Sequence, residues 1–239
     1  MSTAGPKTAM VLAAGLGTRM RPLTDVMPKA LVPVAGRALV DRVLDELVAA
    51  GVERAVVNVH HLADLMEAHL AARGDLEVLI SDERDELLDS GGGIQKARGL
   101  LGEDPIFVAN IDSLWTDVAE PPLETLKRAW NPERMDLLLL LAPRGRGIGF
   151  EGPQGFLMDA EDRLTHSSSP SVIAPLANVG FGIMKLQILD DRPREGAFSI
   201  IPTWHRLQAE GRLFGVVMDA FWMHVGDPAA REAAEARIR

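Results

Sequence analysis

Residues 8–34 read TAMVLAAGLGTRMRPLTDVMPKALVPV, and this stretch decides the fold. Thr8–Ala13 is a short apolar run that ends at a glycine loop, as a buried parallel strand does. Beyond it, Gly15 and Gly17 permit positive φ and close backbone approach, so successive amides can line a concavity suited to phosphate. Arg19, Arg21 and Lys29 then fall within 11 residues, opposed only by Asp25. A dinucleotide fingerprint would need a glycine where Met20 stands and an acid about 20 residues on, at the end of a second strand. The next clear strand ends far later, at Val59, and the P-loop pattern GxxxxGK[ST] is absent.

Working outward, strand-like and helix-like segments alternate. Leu39–Ala50 reads as a helix with Leu39, Val43, Leu44 and Leu47 on one face and Gly51 as its stop. Arg54–Val59 is the next strand, and His61–Ala72 the next helix, with Leu62, Leu65, Met66 and Leu70 at helical spacing. Leu76–Ile80, a helix around Ile94–Leu101, and Ile106–Ala109 continue the pattern. Such alternation implies right-handed crossovers and a mostly parallel sheet. In the second half, Asp136–Ala142, Ala177–Met184 and Leu213–Met218 read as strands, 144–155 as a loop or hairpin, and 199–210 and 228–239 as helices. The expectation is α/β: a Rossmann-like, mixed but mostly parallel sheet with helices on both faces, forming a single domain over 1–239.

Composition narrows the function classes. The chain of 239 residues carries 25 Lys+Arg against 34 Asp+Glu, a net charge of −9, and no Cys. Disulfides, thiolate catalysis and zinc fingers are excluded. The acidic balance argues against nucleic-acid binding, although a locally basic site can still take a small anion. No signal-peptide pattern opens the chain, and the uncharged run 167–184, with its Ser and Pro, is no membrane helix. A cytoplasmic protein without a membrane partner is expected, as a monomer or small homo-oligomer.

The segment Leu12–Thr24 followed by Pro28-Lys29-Ala30-Leu31 resembles the signature of the sugar-1-phosphate nucleotidyltransferases, the nucleoside-diphosphate-sugar pyrophosphorylases. The resemblance implies a fold of that type and the reaction NTP + sugar-1-phosphate → NDP-sugar + pyrophosphate, with Mg²⁺. It implies that Leu12, Ala13, Ala14, Gly15, Gly17 and Thr18 embrace the nucleoside triphosphate, that Arg19 grips its phosphates and that Lys29 reaches the reacting phosphates. Asp82–Ile94, DERDELLDSGGGI, is similar to the family's E-P-L-G-T-A-G segment. That likeness puts Glu86 on its glutamate and Ser90, Gly91 and Gly92 beside the nucleobase and ribose. Without the resemblance, the same stretch reads as a solvated loop with Asp89 or Ser90 capping the next helix.

Asn110-Ile111-Asp112 follows a strand, where parallel sheets gather their ligands. It is similar to the family's N-[GA]-D, whose aspartate binds magnesium, and Asn110 falls beside the sugar. Asn178-Val179-Gly180 resembles the family strand that contacts the sugar, placing Asn178 and Gly180 there. The family's E-K-P lysine has no counterpart in Leu164–Pro175. That feature also marks the short bacterial branch that forms UDP-N-acetylmuramate from UTP in cell-wall recycling, and length and motifs agree with it. Glucose-1-phosphate thymidylyl- or uridylyltransferase and mannose-1-phosphate guanylyltransferase are alternatives within the fold, and a non-catalytic sugar-nucleotide sensor is one outside the class. Trp222–Pro228, WMHVGDP, is similar to that branch's W-x-D-V-G-T-P, with His224 where the second metal-binding Asp stands. Imidazole is a poor ligand for Mg²⁺, so His224 is expected to bond to a phosphate or a metal-bound water instead. The remaining histidines show no triad or zinc spacing.

Overall fold

The structure, a computed structural model, describes residues 5–102, 104–167 and 173–238. The opening residues and part of the lysine-free Leu164–Pro175 segment lie outside the described residues. The chain runs through β1 (Thr8–Leu12), β2 (Pro33–Val34), β3 (Arg37–Ala38), α1 (Leu39–Ala49), β4 (Arg54–Val59), α2 (Ala63–Leu70) and β5 (Glu77–Asp82). It continues through α3 (Asp89–Leu101), β6 (Ile106–Asn110), β7 (Ser113–Thr116), α4 (Pro122–Ala129), β8 (Leu137–Pro143) and β9 (Gly147–Ile148). The last elements are β10 (Gly155–Met158), β11 (Leu164–Ser167), β12 (Leu176–Met184), α5 (Ile201–Ala209), β13 (Leu213–Val217), β14 (Phe221–His224) and α6 (Pro228–Ile238).

A nine-stranded sheet organises the molecule, and strands β5, β4, β1 and β6 lie side by side in parallel. β12 runs antiparallel between β6 and β8, and β13 is parallel to β8. Alternate residues feed two cores, as the pleat dictates. On β1, Ala9 and Val11 face the apolar residues of α1, α2 and α4, whereas Met10 joins Ile94, Ala97 and Leu101 of α3 and Leu207 of α5. Helices therefore cover both faces of a mostly parallel mixed sheet. From β1 the chain moves outward to β4 and β5, and α3 carries it back to β6 on the other side of β1. The crevice at the carboxyl ends of β1 and β6 is the topological switch point, where open α/β sheets place their ligands.

Local details refine the sequence reading. The helix expected near Ile94 begins at Asp89, so the glycine run is its first turns. A helix through three glycines opposes intrinsic propensity. Packing overrides it, because a Cβ at Gly91 would lie 2.5 Å from the Phe198 ring and one at Gly92 would lie 2.6 Å from the Gly196 carbonyl oxygen. Of the two readings of 144–155 the loop is the one found, with only the two-residue strand β9 inside it. The hairpin of this region is β10–β11, and β11 and helix α4 had no counterpart in the sequence reading.

At the other end of the sheet, Asp136 sits between Lys185 Nζ (2.7 Å) and Arg212 Nη2 (2.9 Å). The Arg212 hydrogen bond, helped by Lys185 and opposed by burial, lowers its carboxyl to about 2. A depressed folded-state value contributes stability above the unfolded value near 3.9, and that contribution is lost as the pH falls through about 2. Asp136→Asn is therefore expected to cost about 2 kcal/mol at neutral pH, with the difference from wild type shrinking towards pH 2 in urea titrations.

Candidate active site

A cavity of about 460 Å³ opens at the switch point, lined by Leu12, Ala13, Ala14 and Gly15 from the glycine loop, Lys29 behind it, and Asn110 and Asp112 after β6. Two buried side chains hold the loop against the sheet. Asn58, at the end of β4, accepts hydrogen bonds from the backbone N–H groups of Ala13 (2.6 Å) and Ala14 (3.2 Å). Its amide nitrogen donates to Glu83 Oε1 at 2.8 Å, and Glu83 Oε2 accepts from the Leu88 backbone at 3.2 Å. Glu83 is 0% exposed. With both carboxylate oxygens bonded, it ties the entry of α3 to the loop.

Glu83, not Glu86, is the acid at the cavity wall; Glu86 is exposed and lies outside the lining. Gly91 and Gly92 likewise turn to Phe198 and Gly196, and α3 presents Asp89 and Ser90 to the cavity instead. The sequence reading missed Asn58 and Glu83, because their partners are 45 and 25 residues away. An asparagine within the apolar run RAVVNV was the available signal. Asn58→Ala strands two amides and a buried carboxylate oxygen. It is expected to cost about 2–3 kcal/mol, read as a lower urea midpoint, and to raise KM for the nucleotide.

Gly17 adopts φ 62°, and a Cβ there would lie 2.9 Å from Lys29 Cβ. The chain thus needs glycine both for the left-handed turn and to let Lys29 pass behind the loop. Thr24 Oγ1 closes the turn by donating to the Gly17 carbonyl at 2.8 Å. Thr18 and Arg19 are exposed at the loop's far end. Arg19 leans towards Gly226, whose Cβ would lie 3.3 Å from its Nη2. Among the described residues, no acidic side chain pairs with Arg19.

Lys29 Nζ meets Asp112 Oδ2 at 2.6 Å, and both side chains are largely enclosed. Burial pushes the Asp112 carboxyl up, but Lys29, with His224 behind it, more than offsets this and holds it below the usual range. The small sheet β7–β14–β9 brings His224 to the same place, with Nδ1 3.9 Å from Asp112 Oδ1. The Val225 backbone donates to the Asp112 carbonyl at 2.7 Å, and Trp222 Nε1 donates to Ser113 Oγ at 3.0 Å. Burial lowers the His224 imidazole, and Lys29 and Arg19 lower it further against the pull of Asp112, so it is neutral at pH 7.

Beyond Asp112 two further cavities, of about 180 and 390 Å³, share Asn110 and Asn178. Gly180, at φ 87°, makes the bulge that brings β12 against Asn110, and its N–H donates to Asn178 Oδ1 at 2.9 Å. Asn110 therefore lines all three cavities, Asn178 the two beyond Asp112, and Gly180 the larger of those two. Among the described residues, no three His, Asp or Glu side chains converge to cage an ion. With both Glu83 oxygens already bonded, Asp112 is the enclosed carboxylate that suits a divalent cation completing its shell with substrate phosphates.

The fold and this two-sided site define a nucleotidyltransferase. Residues 9–149 match the MobA-like NTP transferase domain, and the chain belongs to this family of nucleotidyltransferases. It is 54% identical to the N-acetylmuramate alpha-1-phosphate uridylyltransferase of Caulobacter vibrioides, across 98% of this chain and 97% of that one. It is also 28% identical to the mannose-1-phosphate guanyltransferase beta-B of Xenopus laevis, over 92% of this chain and 61% of the longer relative. The inositol-1-phosphate CTP transferase from T. maritima superposes with a TM-score of 0.77 at 21% identity, covering 99% of this chain and 98% of its own. Nucleotidyltransferases of this kind use a divalent metal. Among the described residues, no helix is long and apolar enough to cross a membrane.

Proposed function

We propose that this protein, acting in the cytoplasm as one catalytic domain, transfers a uridylyl group from UTP to N-acetylmuramate 1-phosphate. The products are UDP-N-acetylmuramate and pyrophosphate, in cell-wall recycling. The observation that carries the reaction is the Lys29–Asp112 pair, 2.6 Å apart, with both residues on the glycine-loop cavity and Asp112 also on the 180 Å³ cavity beside it. The 54% identity to the Caulobacter enzyme over nearly the whole of both chains supports the choice of sugar and base.

The sugar phosphate has a second pKa near 6, so its attacking oxygen is already ionised at pH 7 and needs no general base. That oxygen attacks the α-phosphorus in line, a new P–O bond forms, and the bond to the bridging oxygen breaks to release pyrophosphate. Two anions must approach one another, and fixed positive charge is what such a step chiefly requires. Lys29 screens that approach, and the unpaired Arg19 draws charge towards the leaving pyrophosphate. Asp112 would hold Mg²⁺, which neutralises developing charge on the phosphate oxygens. His224, neutral and beside Asp112, donates a hydrogen bond to a phosphate or to a metal-bound water. The Asn58–Glu83 brace takes up the Ala13 and Ala14 amides and so fixes the start of the loop, leaving the amides further along it to meet the triphosphate.

Pyrophosphate release, screened with four NTPs against a panel of sugar 1-phosphates and Mg²⁺, tests this reading. UTP with N-acetylmuramate 1-phosphate is the pair expected to lead. Leadership by mannose or glucose 1-phosphate would overturn the choice of sugar. Tight nucleotide-sugar binding without turnover of any pair would make the protein a sensor.

A further inference from the structure

The wall of the 180 Å³ cavity holds a histidine that the reaction above does not use. His166 on β11 stands between the ring of Phe156 on β10, with centroids 5.2 Å apart, and that of Trp204 on α5, at 5.7 Å. Its Nδ1 lies 3.1 Å from Nε2 of His205, and its backbone N–H donates to Gln208 Oε1 at 2.9 Å. With Nδ1 committed to His205, Nε2 remains as the polar edge of the ring, and among the described residues it has no hydrogen-bond partner.

No lysine or arginine lines this cavity or the adjoining one among the described residues. His224 belongs to Asp112, and the Arg144 guanidinium stands behind the wall, over the Phe150 ring and bonded to the carbonyls of Gly152 and Ala174. Among the lining residues, His166 is therefore the group away from the reaction centre that can carry positive charge. N-acetylmuramate differs from N-acetylglucosamine by a lactyl ether that ends in a carboxylate. A carboxylate taken into a partly apolar cavity needs a charged hydrogen-bond donor. We infer that His166, braced by His205, is the specificity-determining residue that receives the carboxylate of an acidic sugar 1-phosphate. The inference rests on the uridylyltransferase reading above.

Burial, and then His205, hold the His166 imidazole below its ordinary value, so the free site is neutral at pH 7. An arriving carboxylate favours the protonated ring, and binding therefore takes up a proton. Among the described residues, β10 and β13 bring no titratable group to His166. From α5 only His205 faces it, because Arg206 is turned to Asp191 and Glu210. Affinity for the acidic sugar should then fall as the pH rises from about 6 to about 8. A neutral sugar sharing the same phosphate lacks this fall.

The test compares N-acetylmuramate 1-phosphate with N-acetylglucosamine 1-phosphate, using UTP and Mg²⁺, in wild type, His166→Gln and His205→Ala. kcat/KM is read for each sugar, or Ki where a sugar only inhibits, and thermal midpoints confirm folding. His166→Gln is expected to lower the preference for the acidic sugar at least about tenfold, chiefly through KM, and to flatten its pH dependence. His205→Ala, which leaves His166 unbraced, should shift the preference the same way by less. Equal losses on both sugars would place His166 on the shared phosphate, and an unchanged preference would remove it from recognition; either overturns the inference. A wild type that does not turn over the acidic sugar at all overturns the parent reading, and this one with it.

Discussion

Asp112→Asn is expected to lower kcat/KM by about a thousandfold, about 4 kcal/mol of transition-state stabilisation, while the protein stays folded. Asparagine preserves the shape and the backbone bond from Val225 but removes the charge that faces Lys29 and that a divalent cation requires. His224→Ala provides the internal comparison. Its imidazole is neutral and 3.9 Å from Asp112, so its loss should cost about tenfold or less, and His224→Asp should retain Mg²⁺-dependent turnover. Steady-state pyrophosphate release with a thermal midpoint for each variant checks this. An Asp112→Asn enzyme that keeps a tenth of its activity would remove that carboxylate from the proposed mechanism. Equal collapse at 112 and 224, with a wild type active only on a transition metal, would replace magnesium with a different centre.

The second large effect is expected at Lys29, where alanine should reduce kcat/KM by about a hundredfold, near 2.7 kcal/mol. The ammonium lies where two anions must meet, and its removal also leaves the enclosed Asp112 carboxylate without its closest cation. Because the two groups are in contact, their effects should not add. Lys29→Ala made in the Asp112→Asn background is expected to cost much less than it does alone. Strict additivity in that double-mutant cycle would mean that the 2.6 Å pair has no energetic consequence for turnover.

Much of the site was legible in sequence because its parts are contiguous. The strand, the glycine loop and the cation behind it occupy Thr8–Lys29, and Gly15 and Gly17 read as positions where the backbone can turn. Parallel alternation was also legible, since hydrophobic periodicity is a local property. Asp112 could be expected there because ligands of parallel sheets collect where a strand ends, whereas Asn110 came from the family resemblance.

Other features depend on residues that meet only in three dimensions. The family resemblance favoured Glu86, but the turn after β5 buries Glu83 and exposes Glu86, a choice made by the bond to Asn58 across the sheet. Three glycines suggested a loop, yet close approach of the 196–198 segment makes them a helix start, because packing outweighs propensity. His224 reaches Asp112 through pairing of β14 with β7, more than a hundred residues earlier in the chain. His166 meets Trp204 and His205 only when β11 is set against α5. The sequence by itself therefore determined the fold class, which short-range patterns encode, and the reaction class, through the resemblance carried by Leu12–Leu31. Tertiary structure decided which acid is buried, which glycines pack and which histidines face the cavities, because burial and long-range pairing set those outcomes.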